Sequence, residues 1–77
     1  MDLEKRISID PEIQHGKPCI RGTRIPVYII LEMLEHGLTI PEILEEYPHI
    51  KEDDVKACIA FARQFVEGEE ISPFVTP

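Results

Sequence analysis

Lys17, Arg21 and Arg24 fall together in Gly16-Lys-Pro-Cys-Ile-Arg-Gly-Thr-Arg-Ile-Pro26, a stretch that also holds two glycines and two prolines. Three cations so closely spaced are of the type that meets phosphate oxygens, so contact with a nucleic-acid backbone is one chemistry the stretch offers. A phosphate-binding loop is not another: the helix-starting Gly-Lys-Ser/Thr is missing, and Pro18 removes an N–H that a cradle would use. The plainer reading is a tight turn whose charges keep an edge strand from unwanted pairing. Phosphate contact and edge protection both remain open here.

The other reactive side chains form no constellation. Cys19 and Cys58 lie far apart among apolar neighbours, which suits small buried side chains better than a disulfide framework. A metal site would have to recruit His15, His36 or His49 from separate segments, without the paired spacing that a structural metal favours. No Ser or Cys nucleophile stands beside a His, and the carboxylates fall on outward faces. The expectation is a protein that is not an enzyme and needs neither metal nor cofactor.

Charge sharpens the question about the arginines. The chain of 77 residues has a formal net charge of −7, unevenly spread: residues 1–24 carry five cations against four acids, and residues 25–77 carry three against eleven. Such a surface repels a duplex unless the cations are concentrated at the contact. Any DNA binding therefore falls to the N-terminal third. The length predicts one domain with a small core, in three parts: a β element over 1–26, a helical core over 27–67 and a tail over 68–77. No run approaches the roughly 20 apolar residues of a membrane span, and Met1-Asp-Leu-Glu-Lys-Arg6 lacks a signal's apolar region, so a cytoplasmic protein without membrane contact is expected.

The elements that must position these residues follow from periodicity and punctuation. Ile7-Ser-Ile-Asp10 alternates and ends at Asp-Pro, predicting a short strand; Pro18–Ile20 and Thr23–Ile25 are predicted to pair around Arg21-Gly22, with glycine supplying a positive φ. Pro26 suits the first position of a helix running to His36, with Val27, Ile30, Leu31 and Leu34 on one face and Gly37 as its stop. Ile29 and Met33 form a second apolar face that implies a partner surface. Thr39-Ile-Pro-Glu42 is a capping box opening a short helix to Tyr47, expected to bury Ile40, Ile43, Leu44 and Tyr47. A third helix is predicted over 52–66, burying Val55, Cys58, Ile59, Ala62, Phe65 and Val66, with Glu52, Asp53 and Asp54 favouring its N-terminal dipole and Gly68 closing it. Beyond it, Ile71, Phe74 and Val75 either strap back onto the core or bind a partner.

Three helices with short connections have the shape of a helix-turn-helix, and residues 36–62 supply its last two helices. The chemistry opposes that use, since a recognition helix opening on three carboxylates enters a phosphate-walled groove at a loss. Dipole stabilisation alone accounts for the acids.

Two blocks of this sequence, "ISIDPEIQHGKPCIRGTRIPV" and "LEHGLTIPEILEEYPHIKEDDVKACIAFA", resemble the small prokaryotic proteins grouped as domain of unknown function 433. One departure is Lys51, where relatives often carry a Ser or Thr cap. The resemblance implies a mainly α, homeodomain-like tri-helical helix-turn-helix core with a short N-terminal β-hairpin. It also implies an antitoxin of a type II toxin–antitoxin pair, binding and neutralising a PIN-like ribonuclease toxin and autoregulating its operon through operator DNA as a homodimer. On that reading Lys17, Arg21 and Arg24 touch DNA, and Ile71, Phe74, Val75 and Arg63 meet the toxin. Ile7 and Ile9, or Ile29 and Met33, join the dimer. The alternative is an acidic module of helix-turn-helix shape that binds protein and no DNA.

Overall fold

Ile7 and Ile20, each flanked by residues of a different turn, meet across the sheet. In the computed structural model, which describes residues 1–68 and 72–76 (Ser72 by its backbone alone), β1 (Ile7–Ser8) pairs antiparallel with β2 (Cys19–Ile20) in the register Ile7 to Ile20 and Ser8 to Cys19. Three helices follow: α1 (Val27–Glu35), α2 (Ile40–Glu46) and α3 (Glu52–Glu67). Single-turn segments occupy Leu3–Lys5, Gln14–Gly16 and Ser72–Phe74. The molecule is thus mainly helical, with a tri-helical core and a small β element in front, as the sequence predicts.

The β element departs from expectation in its partners. β1 is shorter than Ile7–Asp10 because Ile9 turns to the C-terminal segment: Ile9 N–H donates to the Phe74 carbonyl at 2.8 Å, and Thr76 N–H donates to the Ile9 carbonyl at 2.6 Å. The turn at Arg21-Gly22 does form. Thr23 N–H donates to the Ile20 carbonyl at 3.0 Å and Ile20 N–H to the Ile25 carbonyl at 3.0 Å, so β2 lies between β1 and the returning chain. The Thr23 hydroxyl donates to the same Ile20 carbonyl and accepts from Ile25 N–H, which fastens the turn. Gly22 has a φ of 81° with no neighbour near an added Cβ, so the cost of Gly22→Ala is conformational. We expect it to lower stability by about 1–2 kcal/mol, read as a shift of the urea midpoint at unchanged slope.

Pro26 stands one position ahead of α1, not at its first residue. Its ψ of 145° is extended because Pro26 bridges Cys19, and Val27 N–H donates to the Pro18 carbonyl at 2.8 Å. Gly37 follows α1 with a φ of 90°. The capping box of α2 is complete: Thr39 N–H donates to Glu42 Oε1 at 2.9 Å, and Glu42 N–H donates to the Thr39 hydroxyl at 3.3 Å. Thr39 N–H, and after it the Thr39 hydroxyl donating to the same Oε1 at 3.0 Å, lower the pKa of the Glu42 carboxyl. At α3, Lys51 has no acceptor to offer, and the reciprocal half of the cap is kept, with Lys51 N–H donating to Asp54 Oδ2 at 2.9 Å.

The core gathers Leu3, Ile7 and Ile20 from the N-terminal third, Val27 and Ile30 from α1, and Ile43 from α2. Val55, Ala57, Cys58 and Phe61 of α3 and Phe74 complete it with Ile25 and Ile50. Leu31, Met33, Leu34, Ile40, Leu44 and Tyr47 pack against its edge, half-buried. One expectation fails on α3: Ile59, Phe65 and Val66 lie 44, 49 and 89 % exposed, and Ala62 is half-buried. From Cys58 the buried stripe runs on through Phe61, three residues along, not through Ala62, four along. Phe61 has the bulk to reach Phe74, whose ring meets it edge-on with centroids 4.9 Å apart. α3 therefore carries two apolar stripes, of which its own fold uses one.

Candidate interaction surfaces

Of the three cations singled out in the sequence, Arg21 is bound into the fold. Its Nε donates to the Glu4 carbonyl at 2.9 Å and its Nη2 to the Ile7 carbonyl at 3.0 Å, while its backbone N–H donates to the Arg6 carbonyl at 2.7 Å. The planar guanidinium here ties the turn after β2 to the N-terminal segment. Lys17 extends over the Tyr28 ring, its Nζ 4.8 Å from the centroid, and Arg24 is exposed. The Arg24 charge acts on Cys19, but burial outweighs it and raises that thiol's pKa.

The carboxylates at the start of α3 have partners besides the helix dipole. Arg6 donates from Nη1 to Asp54 Oδ1 at 3.0 Å and places Nη2 3.5 Å from Asp53 Oδ2, and Lys56 lies 2.9 Å from Glu52. This end of α3 is thereby stitched to β1's approach. Nothing in the local sequence marks Arg6 for that task, since its partners lie 47 and 48 positions away.

The residues expected to meet a toxin divide. Phe74 is 5 % exposed and packed on Phe61, so the tail is a strap on its own core at that point, and the Phe74 ring is withdrawn from any partner. Val75 remains exposed, Arg63 is paired with Glu67 at 2.6 Å, and Ile71 lies outside the described residues. For the expected dimer contacts, Ile7 is fully buried in its own fold and offers no surface, and the Ile9 backbone is occupied by the C-terminal segment. Ile29 and Met33 are half-buried, and Met33 packs on the core.

A surface that sequence reasoning missed lies between α1 and α3. A groove of about 390 Å³ is walled by Val27, Tyr28 and Leu31 of α1 and by Phe61, Ala62 and Phe65 of α3, with Lys17 and Pro18 at its edge. Tyr28 and Phe65 are each about half exposed, and Phe65 rests edge-on against Phe61 with centroids 5.0 Å apart. Isolated exposed apolar residues are ordinary; a contiguous apolar groove is a candidate binding surface. Its signal in the sequence is the surplus of apolar positions on α3, more than one buried stripe can use.

Cys58 carries no such role. Burial, with smaller contributions from Asp54 and Cys19, pushes its thiol up to about 12. A folded-state pKa above the unfolded value favours the neutral thiol, so this contribution is full below about pH 9 and fades as pH rises toward 12. We expect Cys58 to resist iodoacetamide at pH 8.5 in the folded protein and to react on unfolding in urea, followed by mass spectrometry.

The geometry is that of one class, a tri-helical, helix-turn-helix-shaped domain with a two-stranded N-terminal sheet and an apolar groove between α1 and α3. Within that class the chain belongs to the family described as protein of unknown function (DUF433), which matches residues 7–62. It is similar to the crystal structure of a DUF433 member protein from Anabaena variabilis ATCC 29413, with a TM-score of 0.77 and 32 % identity, covering 86 % of this chain and 65 % of that one. It is also 29 % identical over 56 residues to the uncharacterized protein y4eO of Sinorhizobium fredii (strain NBRC 101917 / NGR234), covering 73 % of this chain. The chain spans a quarter of y4eO's length and just under two thirds of the Anabaena protein. Among the described residues, no helix is long and apolar enough to cross a membrane.

Proposed function

We propose that this protein acts by binding another protein, not by catalysis, as the antitoxin-type partner of a PIN-like ribonuclease encoded beside it. The observation that carries the binding half is the groove between α1 and α3, an apolar surface that stays open among the described residues. The toxin half rests on the family resemblance. Operator DNA is the weaker part of the proposal: Arg21 is engaged by backbone carbonyls, and α3 opens on carboxylates already tied to Arg6 and Lys56. This favours the acidic protein-binding module over the groove reader.

The test is co-expression with the neighbouring PIN-like gene. We expect the two products to co-purify and the growth arrest caused by the neighbour alone to be relieved. Persistent arrest with no complex would sink the proposal.

A further inference from the structure

We infer that the α1–α3 groove is a docking site for an amphipathic helix of a partner protein, one whose flanks are basic with a carboxylate at one end. The inference rests on the protein-binding reading above and specifies the chemistry of the occupant. Its lining is apolar: Val27 and Phe61 are buried, Leu31 and Ala62 half-buried, and the Tyr28 and Phe65 rings about half exposed. The adjoining outer stripe of α3, Ile59, Ala62 and Val66 at spacings of three and four, widens the apolar strip on one side. A helix presenting residues at i, i+3, i+4 and i+7 has the shape to fill such a groove.

The ends of the groove differ in charge. Lys17 stands at the start of α1, over Tyr28. Along the same face of α1, Glu32 follows Tyr28 by four residues and Glu35 by seven, which carries the second carboxylate about 10 Å further along the axis. Both glutamates are exposed, and neither has an ion-pair partner among the described residues. A docked helix is therefore stabilised by Lys or Arg near Glu32 and Glu35 and by an acid near Lys17.

The same electrostatics argue against a second copy as the occupant. Each chain brings a net charge of −7, concentrated after residue 24 where the groove's two helices lie, so two such faces approach against repulsion. A basic partner is drawn in instead, and complementary charge raises its association rate and fixes its register.

The probe is a stapled helix of about sixteen residues, four turns or so, with leucines on one face, lysines on its flanks and a glutamate at one end. A sister peptide exchanges lysine for glutamate. Binding to the intact protein is read by fluorescence anisotropy at physiological salt. The lysine peptide should bind at least about tenfold tighter than its sister, and Tyr28→Ser and Phe65→Ser should each weaken it by about tenfold, within the range of interface anchors. Phe65 touches Phe61, so the Phe65 variant is read beside its melting curve, and Tyr28→Ser, on the surface, serves if that variant is unstable. Charge removal in Glu32→Gln with Glu35→Gln should narrow the difference between the peptides.

Equal binding of both peptides, or unchanged binding in the Tyr28 and Phe65 variants, overturns the inference. So does sedimentation equilibrium showing a dimer that Tyr28→Ser dissociates, because a second copy then fills the groove. Failure of the neighbouring PIN-like protein to bind, with peptide binding intact, removes the toxin reading and leaves the groove standing. A neighbour that binds the Tyr28 and Phe65 variants as well as the wild type does the reverse.

Discussion

Phe61→Ala is expected to lower the melting temperature by about 15 to 30 °C and to leave a large unfolded fraction at 37 °C. Phe61 is buried at the point where α3, α1 and the C-terminal strap converge, with the Phe65 and Phe74 rings edge-on to it at 5.0 and 4.9 Å. Truncating a buried phenylalanine to alanine typically costs about 3–5 kcal/mol, from lost burial and the cavity left behind. A chain of this length has about 4–12 kcal/mol of stability in total. The strap loses its anchor in the same step, because Phe74 packs on the ring that is removed. Thermal unfolding followed by far-ultraviolet circular dichroism reads the effect, and a shift below about 5 °C would show that the strap and α3 pack elsewhere. The exposed neighbour on the same helix provides the contrast. Val66→Ala is expected to change stability by less than about 0.5 kcal/mol, as for surface positions generally.

Arg21→Ala is the second large effect, and it separates two roles that one cation can have. If Arg21 serves the fold, its loss leaves the Glu4 and Ile7 carbonyls without a charged donor and frees the turn from the N-terminal segment. Hydrogen bonds from a charged donor contribute about 1.5–3 kcal/mol each, reduced here by the exposure of the side chain. We expect a loss of about 2 kcal/mol, seen as a fall of about 8 to 16 °C in melting temperature. Arg21→Lys should recover little, since an ammonium cannot reproduce the two-pronged geometry. A phosphate contact predicts the opposite pattern: unchanged melting in Arg21→Ala, weaker DNA binding, and substantial rescue by lysine.

The helices could be read from the sequence because their signals are local. Thr39 and Glu42 sit three residues apart and cap each other, and Gly37 and Gly68 close their helices with φ values of 90° and 83°. What the sequence left open was fixed by tertiary partners. The turn at Gly22 was visible, but the pairing of Ile7 with Ile20 was not, because alternation in Ile7–Asp10 says nothing about which strand lies opposite. Spacing on α3 fitted either stripe, and Phe74, distant in the chain, selected the one holding Phe61. The role of Arg21 was hidden for a similar reason. Its acceptors are carbonyl oxygens of Glu4 and Ile7, groups that every residue has and that no motif marks. The strap itself was one of two readings of the apolar tail, and the pairing of Ile9 with Val75 gives it a place beside β1.

These placements bear on function together. Of the three cations that pointed to DNA, Arg21 serves the fold, Lys17 stands at the rim of the groove and Arg24 is exposed. Ala62 and Phe65 of α3 line the groove beside α1.

The chain is proposed to bind protein in preference to DNA, and titration calorimetry sets the two ligands side by side. The purified chain is titrated at physiological salt against the PIN-like protein encoded beside it and, separately, against duplex DNA from its own promoter. We expect a saturable complex with the protein at about micromolar affinity or tighter, and no heat above dilution with the DNA. Saturable, salt-sensitive binding to the duplex with none to the protein would contradict it.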